Sequence, residues 1–332
     1  MSNDRTKIVS ARLAKEILAN SDAFLNGPLK ENIAKVRAQS GIPLVDTEDF
    51  FATWPIYSLG EEHDIRRKVV ARAVGGSWDN AIGESVSILK AALDSGCIDD
   101  TTITESTDIF FNKVFGMSDH QRQLFLTACQ PLTDFQLRQV PFDTMSDLDD
   151  RVKDLTRWFD GQLFTPGAVI EHMRDLGAPT YLSMSVVLDA YKPLHAGLSS
   201  VVHCSCLTFL TECNSDVKAV VRNILKAHPP FQNITRKDML GKFSDGKISI
   251  DLRACHGQSS DELEIGGSSL DGSFLTFGYG PHACLGRGLA LRWFHCCVEL
   301  LQGSIDSRWS VVGTEVQDEA LCSFQNIAVT LS

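Results

Sequence analysis

Apolar residues recur at three- and four-residue intervals through Ala11–Ala19, Asp64–Ala73, Ala81–Leu93, Asp147–Phe159 and Pro166–Leu176. That spacing lines one face of a helix and predicts an amphipathic helix over each stretch. Strand-like alternation is scarce. Its clearest instance is Lys247–Leu252, which runs into a Gly/Ser-rich stretch. No internal repeat and no low-complexity linker divides the chain. The pattern predicts a single, mainly α domain with a small β portion over residues 1–332.

Composition agrees with a globular core: 43% of the 332 residues are hydrophobic and 22% charged. The formal net charge of −11 leaves no basic footprint for nucleic acid. The polar start Met1–Lys7 and the lack of an 18-residue apolar run predict no membrane anchor and a cytoplasmic protein. Ten cysteines, at 97, 129, 204, 206, 213, 255, 284, 296, 297 and 322, do not predict disulfides without a secretion signal. Cys204-Ser205-Cys206 and Cys296-Cys297 are spaced too closely for a zinc pair, so nine of the ten read as core or surface thiols. Asp147-Leu148-Asp149-Asp150 superficially resembles a magnesium-diphosphate motif. Arg151 and Lys153 follow it, and acids suit the positive end of a helix, so it reads as a solvated helix start.

The tenth cysteine is different. Phe277-Gly278-Tyr279-Gly280-Pro281-His282-Ala283-Cys284-Leu285-Gly286 frames Cys284 with glycines that let the backbone turn tightly and approach a flat macrocycle. A helix predicted just beyond it, through Leu289-Ala290-Leu291-Arg292-Trp293-Phe294, puts the thiol at a positive dipole end. That favours thiolate. The loop reads as a haem-thiolate site, with Cys284 as the iron ligand and His282 placed to reach a haem propionate.

Phe277, Gly280, His282, Cys284 and Gly286 fall at the positions of the cysteine-ligand loop of cytochromes P450, which this segment resembles. The resemblance implies a b-type haem and a shortened P450-like fold. Further stretches are similar to the family in the same order along the chain. Glu61–Arg67 resembles the start of its helix C, with His63 and Arg67 four residues apart on one face. Pro229–Arg236 resembles the strand entry after helix K, with Arg236 at the place of a propionate-binding arginine. The cofactor-binding set implied is therefore His63, Arg67, Arg236, Phe277, Gly278, His282, Cys284 and Gly286. Glu105–Gly116 is softly similar to the passage from helix D to helix E. Leu194–Val202 resembles the middle of the distal helix I. There Ala196 and Gly197 would form a small-residue notch beside the iron, and Ser199 and Ser200 would occupy its acid and alcohol positions.

The chain also departs from that pattern. Ser199 cannot ionise as the family's acid does. Asn223-Ile224-Leu225-Lys226 stands where Glu-x-x-Arg is expected, although Asn223 and Lys226 still offer a weaker hydrogen bond. Glu171-His172-Met173-Arg174 has those letters but lies upstream. Only 31 residues separate Gly197 from Pro229, and Gly257–Ser273 is a reduced meander. The resemblance implies a monooxygenase or peroxygenase acting on a small apolar metabolite in specialised metabolism, served by an electron-transfer partner. The departures keep two alternatives open: a non-redox isomerisation, dehydration or cyclisation, and a haem-binding protein without catalysis.

Overall fold

A computed structural model describes residues 6–26, 29–137, 145–210, 216–243, 246–257, 274–317 and 321–331. The reduced meander and Cys213 lie almost or wholly outside the described residues. In chain order the helices are α1 (Ala11–Ala19), α2 (Leu29–Ser40), α3 (Val45–Thr53), α4 (Gly60–Val74), α5 (Asp79–Ser95), α6 (Asp100–Phe115), α7 (Asp119–Leu137), α8 (Leu148–Asp160), α9 (Val169–Asp175), α10 (Thr180–Phe209), α11 (Val217–Ala227), α12 (Leu252–Gly257) and α13 (Arg287–Gln302). The strands are β1 (Thr6–Ile8), β2 (Phe24–Asn26), β3 (Cys97–Asp99), β4 (Asn233–Asp238), β5 (Lys247–Asp251), β6 (Trp309–Gln317) and β7 (Cys322–Leu331).

The five predicted helices and the predicted strand are present, with α9 three residues shorter at its start than its apolar spacing suggests. Gly167, just before it, takes the left-handed backbone conformation at φ +79°. Glu105–Gly116 is the body of α6, which ends at Gly116 with φ +75°. The turn to the next helix follows at once.

Asp147–Asp150 does begin a helix, but Asp149 is buried, not solvated. Its carboxylate accepts from the Val45 and Thr47 backbone N–H groups at 2.7 and 3.0 Å, and from the Thr47 hydroxyl at 2.7 Å. It caps α3, whose preceding residue Leu44 has φ 47° and brings no capping side chain.

Helix α10 organises the molecule. Thirty residues at 1.5 Å each make it about 45 Å long. From Ala196 to His203 it has no exposed position, and it packs on α6, α11, α13 and β7. Two sheets flank this bundle. One has the order β1-β5-β4-β2, with β1 parallel to β5, and the other the order β3-β7-β6. The β1–β5 pairing sets Ile8 beside Ile250, and both belong to a smaller core under α1 that also takes in Ile17, Leu18 and Leu275. That core fixes the strand carrying Arg236 and the loop leading to Cys284.

Candidate functional site

The loop before α13 is built on two left-handed glycines. Gly278 has φ +72° and Gly280 +70°. A Cβ on Gly280 would stand 2.6 Å from the Leu18 carbonyl oxygen and 2.8 Å from Ala19 Cα, so the loop rests directly on the end of α1. The Cys284 N–H donates to the Phe277 carbonyl at 2.7 Å, closing the loop on itself. Gly286 differs from the other two: its φ is −80° and it is the N-cap of α13. A Cβ there would meet only the Cys284 sulfur, at 3.9 Å, so neither backbone strain nor crowding requires glycine at this position.

Helix α13 starts at Arg287, as the apolar pattern requires, and its first N–H groups face the thiol. Burial raises the Cys284 pKa, and the Gly286 N–H, the Arg67 charge and the Arg287 N–H oppose that rise.

Helix α4 and strand β4 bring His63, Arg67 and Arg236 to the same place. One Arg67 guanidinium nitrogen donates to the Ala283 carbonyl at 2.8 Å, which pins the loop beside the thiol. The His63 and His282 rings lie 4.3 Å apart, centroid to centroid. Arg236 is buried, donates to the Thr235 carbonyl at 2.8 Å, and has its pKa pushed down to about 10 by burial. Burial, then the charges of His63, Arg236 and Arg67, push the His282 pKa down to about 4.

All four sequence-predicted anion ligands therefore converge, and they do so with unmet hydrogen bonds. Both ring nitrogens of His282 and Nε2 of His63 are buried without a partner. The Pro55 carbonyl faces His282 but lies outside hydrogen-bond geometry. A buried donor left unsatisfied costs about 1–3 kcal/mol, so the cluster holds donors that no group among the described residues satisfies and that an anion would. The set fits haem: a thiol framed by N–H groups, and beside it cationic and neutral donors for two carboxylates.

The residues matched to helix I all have packing partners. A Cβ on Gly197 would be 2.7 Å from the Phe294 ring, so the glycine lets α10 and α13 pack closely. The Ser199 hydroxyl donates to the Ala196 carbonyl at 2.9 Å and accepts from the Phe324 N–H at 3.1 Å, anchoring β7. The Ser200 hydroxyl is fully buried and donates to the same Ala196 carbonyl at 3.0 Å.

Sequence reasoning missed Asp189, on the same face of α10 as Ser200 and about 16 Å further back along the axis. Its charge is felt at Cys284, whose pKa it raises. Cys284 and Asp189 both keep accessible surface although protein surrounds each of them. A group that is accessible and enclosed at once lines an internal recess. Burial lifts the Asp189 pKa to about 7. Four residues on, Pro193 has no N–H to offer the Asp189 carbonyl, so the helical ladder is open at that turn. The signal was in the chain: an acid one turn before a proline, inside an otherwise apolar helix.

Asn223 is exposed and forms no ion pair in place of the Glu-x-x-Arg motif. The end of α11 is held otherwise. His256 Nδ1 lies 3.0 Å from the Lys226 carbonyl, and its Nε2 accepts from the Leu275 N–H at 3.0 Å. These contacts fix the tautomer with the proton on Nδ1. The Thr276 hydroxyl donates to the Leu225 carbonyl at 2.7 Å. A neutral bridge thus ties α11 to the cysteine loop. Helix α10 ends at Phe209 and α11 begins at Val217, so no further helix stands between them among the described residues. None of the described helices is long and apolar enough to cross a membrane.

By sequence, no protein-family model and no curated protein matches the chain. Its three-dimensional structure is similar to many solved structures. P450BioI in complex with an acyl carrier protein ligated to hexadec-9Z-enoic acid superposes at TM-score 0.76 with 12% identity, over 98% of this chain and 91% of that one. A structure from a study of unusual cytochrome P450-like monooxygenases of microbial secondary metabolism matches at 0.71 and 12%, over 98% and 92%. The thermophilic cytochrome P450 from Sulfolobus tokodaii matches at 0.66 and 14%, over 100% and 95%.

Proposed function

Since the chain is a P450-like protein with a shortened form of that fold, we propose that it is a haem-thiolate oxidoreductase, a monooxygenase or peroxygenase, acting on a small apolar metabolite. The observation that carries this reading is the buried surplus of donors beside Cys284: His282 and His63 with unmet ring nitrogens, and Arg67 and Arg236 with no carboxylate partner among the described residues. Cys284 would hold the iron of a b-type haem, and these four side chains its propionates. A haem iron with a thiolate ligand supplies chemistry that favours O–O bond cleavage.

The chain's own residues supply the rest. The Gly286 and Arg287 N–H groups stabilise charge on the Cys284 sulfur. Arg67 fixes the loop through Ala283 and keeps further N–H donors for an anion. Asp189, with a pKa near neutrality, can take up or give a proton at its carboxylate within the recess. Half-buried Val186, Leu188 and Ala190 flank it, and apolar walls suit an apolar substrate. The likeness to a monooxygenase of microbial secondary metabolism supports a place in specialised metabolism. An electron-transfer partner would dock near the cysteine loop.

The test is spectral first and catalytic second. Reduced protein under CO should give the band of a thiolate-ligated haem, and Cys284→Ala should lose it. Turnover of candidate apolar metabolites should then require dioxygen with a reductant, or peroxide. Product formed anaerobically without oxidant would overturn the oxidoreductase reading and favour the non-redox one.

A further inference from the structure

A second cluster of metal-ligating side chains lies outside the recess, where the far part of α10 meets the end of α11 and the β6–β7 hairpin. His228 follows α11 as its C-cap, Glu315 is on β6 and Cys322 on β7. The His228 Nδ1 lies 3.2 Å from a Glu315 carboxylate oxygen, and the Cys322 sulfur lies 3.1 Å from the same oxygen. The three donor atoms all fall within 4.8 Å of one another.

The Arg253 guanidinium donates to that same Glu315 oxygen at 3.0 Å. Carboxylates that bind metals commonly accept such a hydrogen bond. Cys322 is fully buried and His228 and Glu315 are partly so, so the donors are shielded without being sealed from an incoming ion.

We propose that His228, Glu315 and Cys322 form a zinc site that clamps the end of α11 to the C-terminal hairpin. One sulfur, one imidazole nitrogen and one carboxylate oxygen are donor types zinc selects, and a water would complete the tetrahedron. Zinc bonds of about 2.0–2.3 Å at tetrahedral angles put neighbouring N and O donors roughly 3.3 Å apart, and S and O donors roughly 3.6 Å. The observed 3.2 and 3.1 Å need to open by only a few tenths of an ångström.

Binding would expel the Cys322 thiol proton and move the His228 proton to Nε2. It would leave one thiolate, one carboxylate and Zn²⁺ with no net charge. The metal would hold the end of α11 to the hairpin. The sequence spacing hides this site, because its donors lie far apart along the chain and join only through the fold.

The test uses the purified full chain with its natural cofactor. Metal analysis should find about one zinc per chain in the wild type and equally in Cys284→Ala, which separates this site from the thiolate loop. Cys322→Ser and His228→Ala should each lower zinc content at least tenfold, and Arg253→Ala should weaken retention against a chelator roughly tenfold. Zinc-edge X-ray absorption of the wild type should show one sulfur beside nitrogen and oxygen in the coordination shell, a reading that needs no variant to fold. A wild type free of zinc after growth in zinc-supplemented medium, a shell of nitrogen and oxygen only, or full zinc content in Cys322→Ser would each overturn the proposal. None of these results bears on Cys284.

Discussion

Replacing Asp189 by Asn tests whether the recess lies where the structure puts it. Asn keeps the size of the side chain and removes its ionisation. In the fold the carboxyl has a pKa of about 7 against an ordinary value of 3.8, so between those limits the folded chain holds a proton that the unfolded chain has released. The unfolded state binds fewer protons there, and stability falls as pH rises through this window, with the loss complete above pH 7. The whole shift, at 1.36 kcal/mol per unit, sets a ceiling of roughly 4 kcal/mol. Water reaches the side chain and screens the penalty, which brings the expected figure to about 1–2 kcal/mol. Asp189→Asn should therefore be more stable than wild type by about that amount at pH 8, with the gap closing toward pH 4. Urea unfolding of the two haem-free proteins at several pH values measures it. Equal stability at pH 8 would refute the enclosed position of Asp189, and a gap that did not change with pH would assign the effect to packing. In the haem-loaded protein the same variant should keep its haem spectrum and lose product per oxidant consumed.

Gly280→Ala forces a Cβ into the Leu18 carbonyl at a positive φ, which should cost roughly 2–4 kcal/mol from backbone and crowding together; thermal unfolding measures it, and an unchanged Tm would contradict the seating of the loop on α1. Arg236→Ala should speed haem loss to an apomyoglobin acceptor roughly ten- to a hundredfold, the equivalent of one charge-assisted hydrogen bond of about 1.5–3 kcal/mol; equal transfer rates would remove Arg236 from the propionate set. Ser199→Ala should cost about 1–3 kcal/mol by stranding the Phe324 N–H, whereas Ser200→Ala should stay within about 1 kcal/mol and leave the ratio of product to oxidant unchanged. Loss of that ratio in Ser200→Ala would restore it to the recess.

What could be read from the chain divides along a physical line. The cysteine loop was legible because its constraints are local: two left-handed glycines, a thiol and a helix start must follow one another within ten residues, and few other demands produce that order. His63 and Arg67, one helical turn apart, and Arg236, on a strand with a fixed entry, were legible for the same reason once the loop supplied their common target. The small residues Ala196-Gly197 were ambiguous in kind. A gap beside a ligand and a close approach of two helices both ask for a missing Cβ, and only the position of Phe294 decides for the second. Asp189 went unread because a lone acid in an apolar helix has no spacing partner. What marks it is that its charge reaches the thiol, a property of the fold. The stretch where the resemblance leads one to expect a Glu-x-x-Arg pair is different again. Asn223 and Lys226 stand there, but the bond that ties α11 to the loop, His256 between Lys226 and Leu275, joins residues 30 and 19 apart in the chain and is visible only once α11 and the loop are packed. A buried neutral bridge avoids the desolvation that a buried ion pair must overcome, so an uncharged join between α11 and the cysteine loop need not be a weak one.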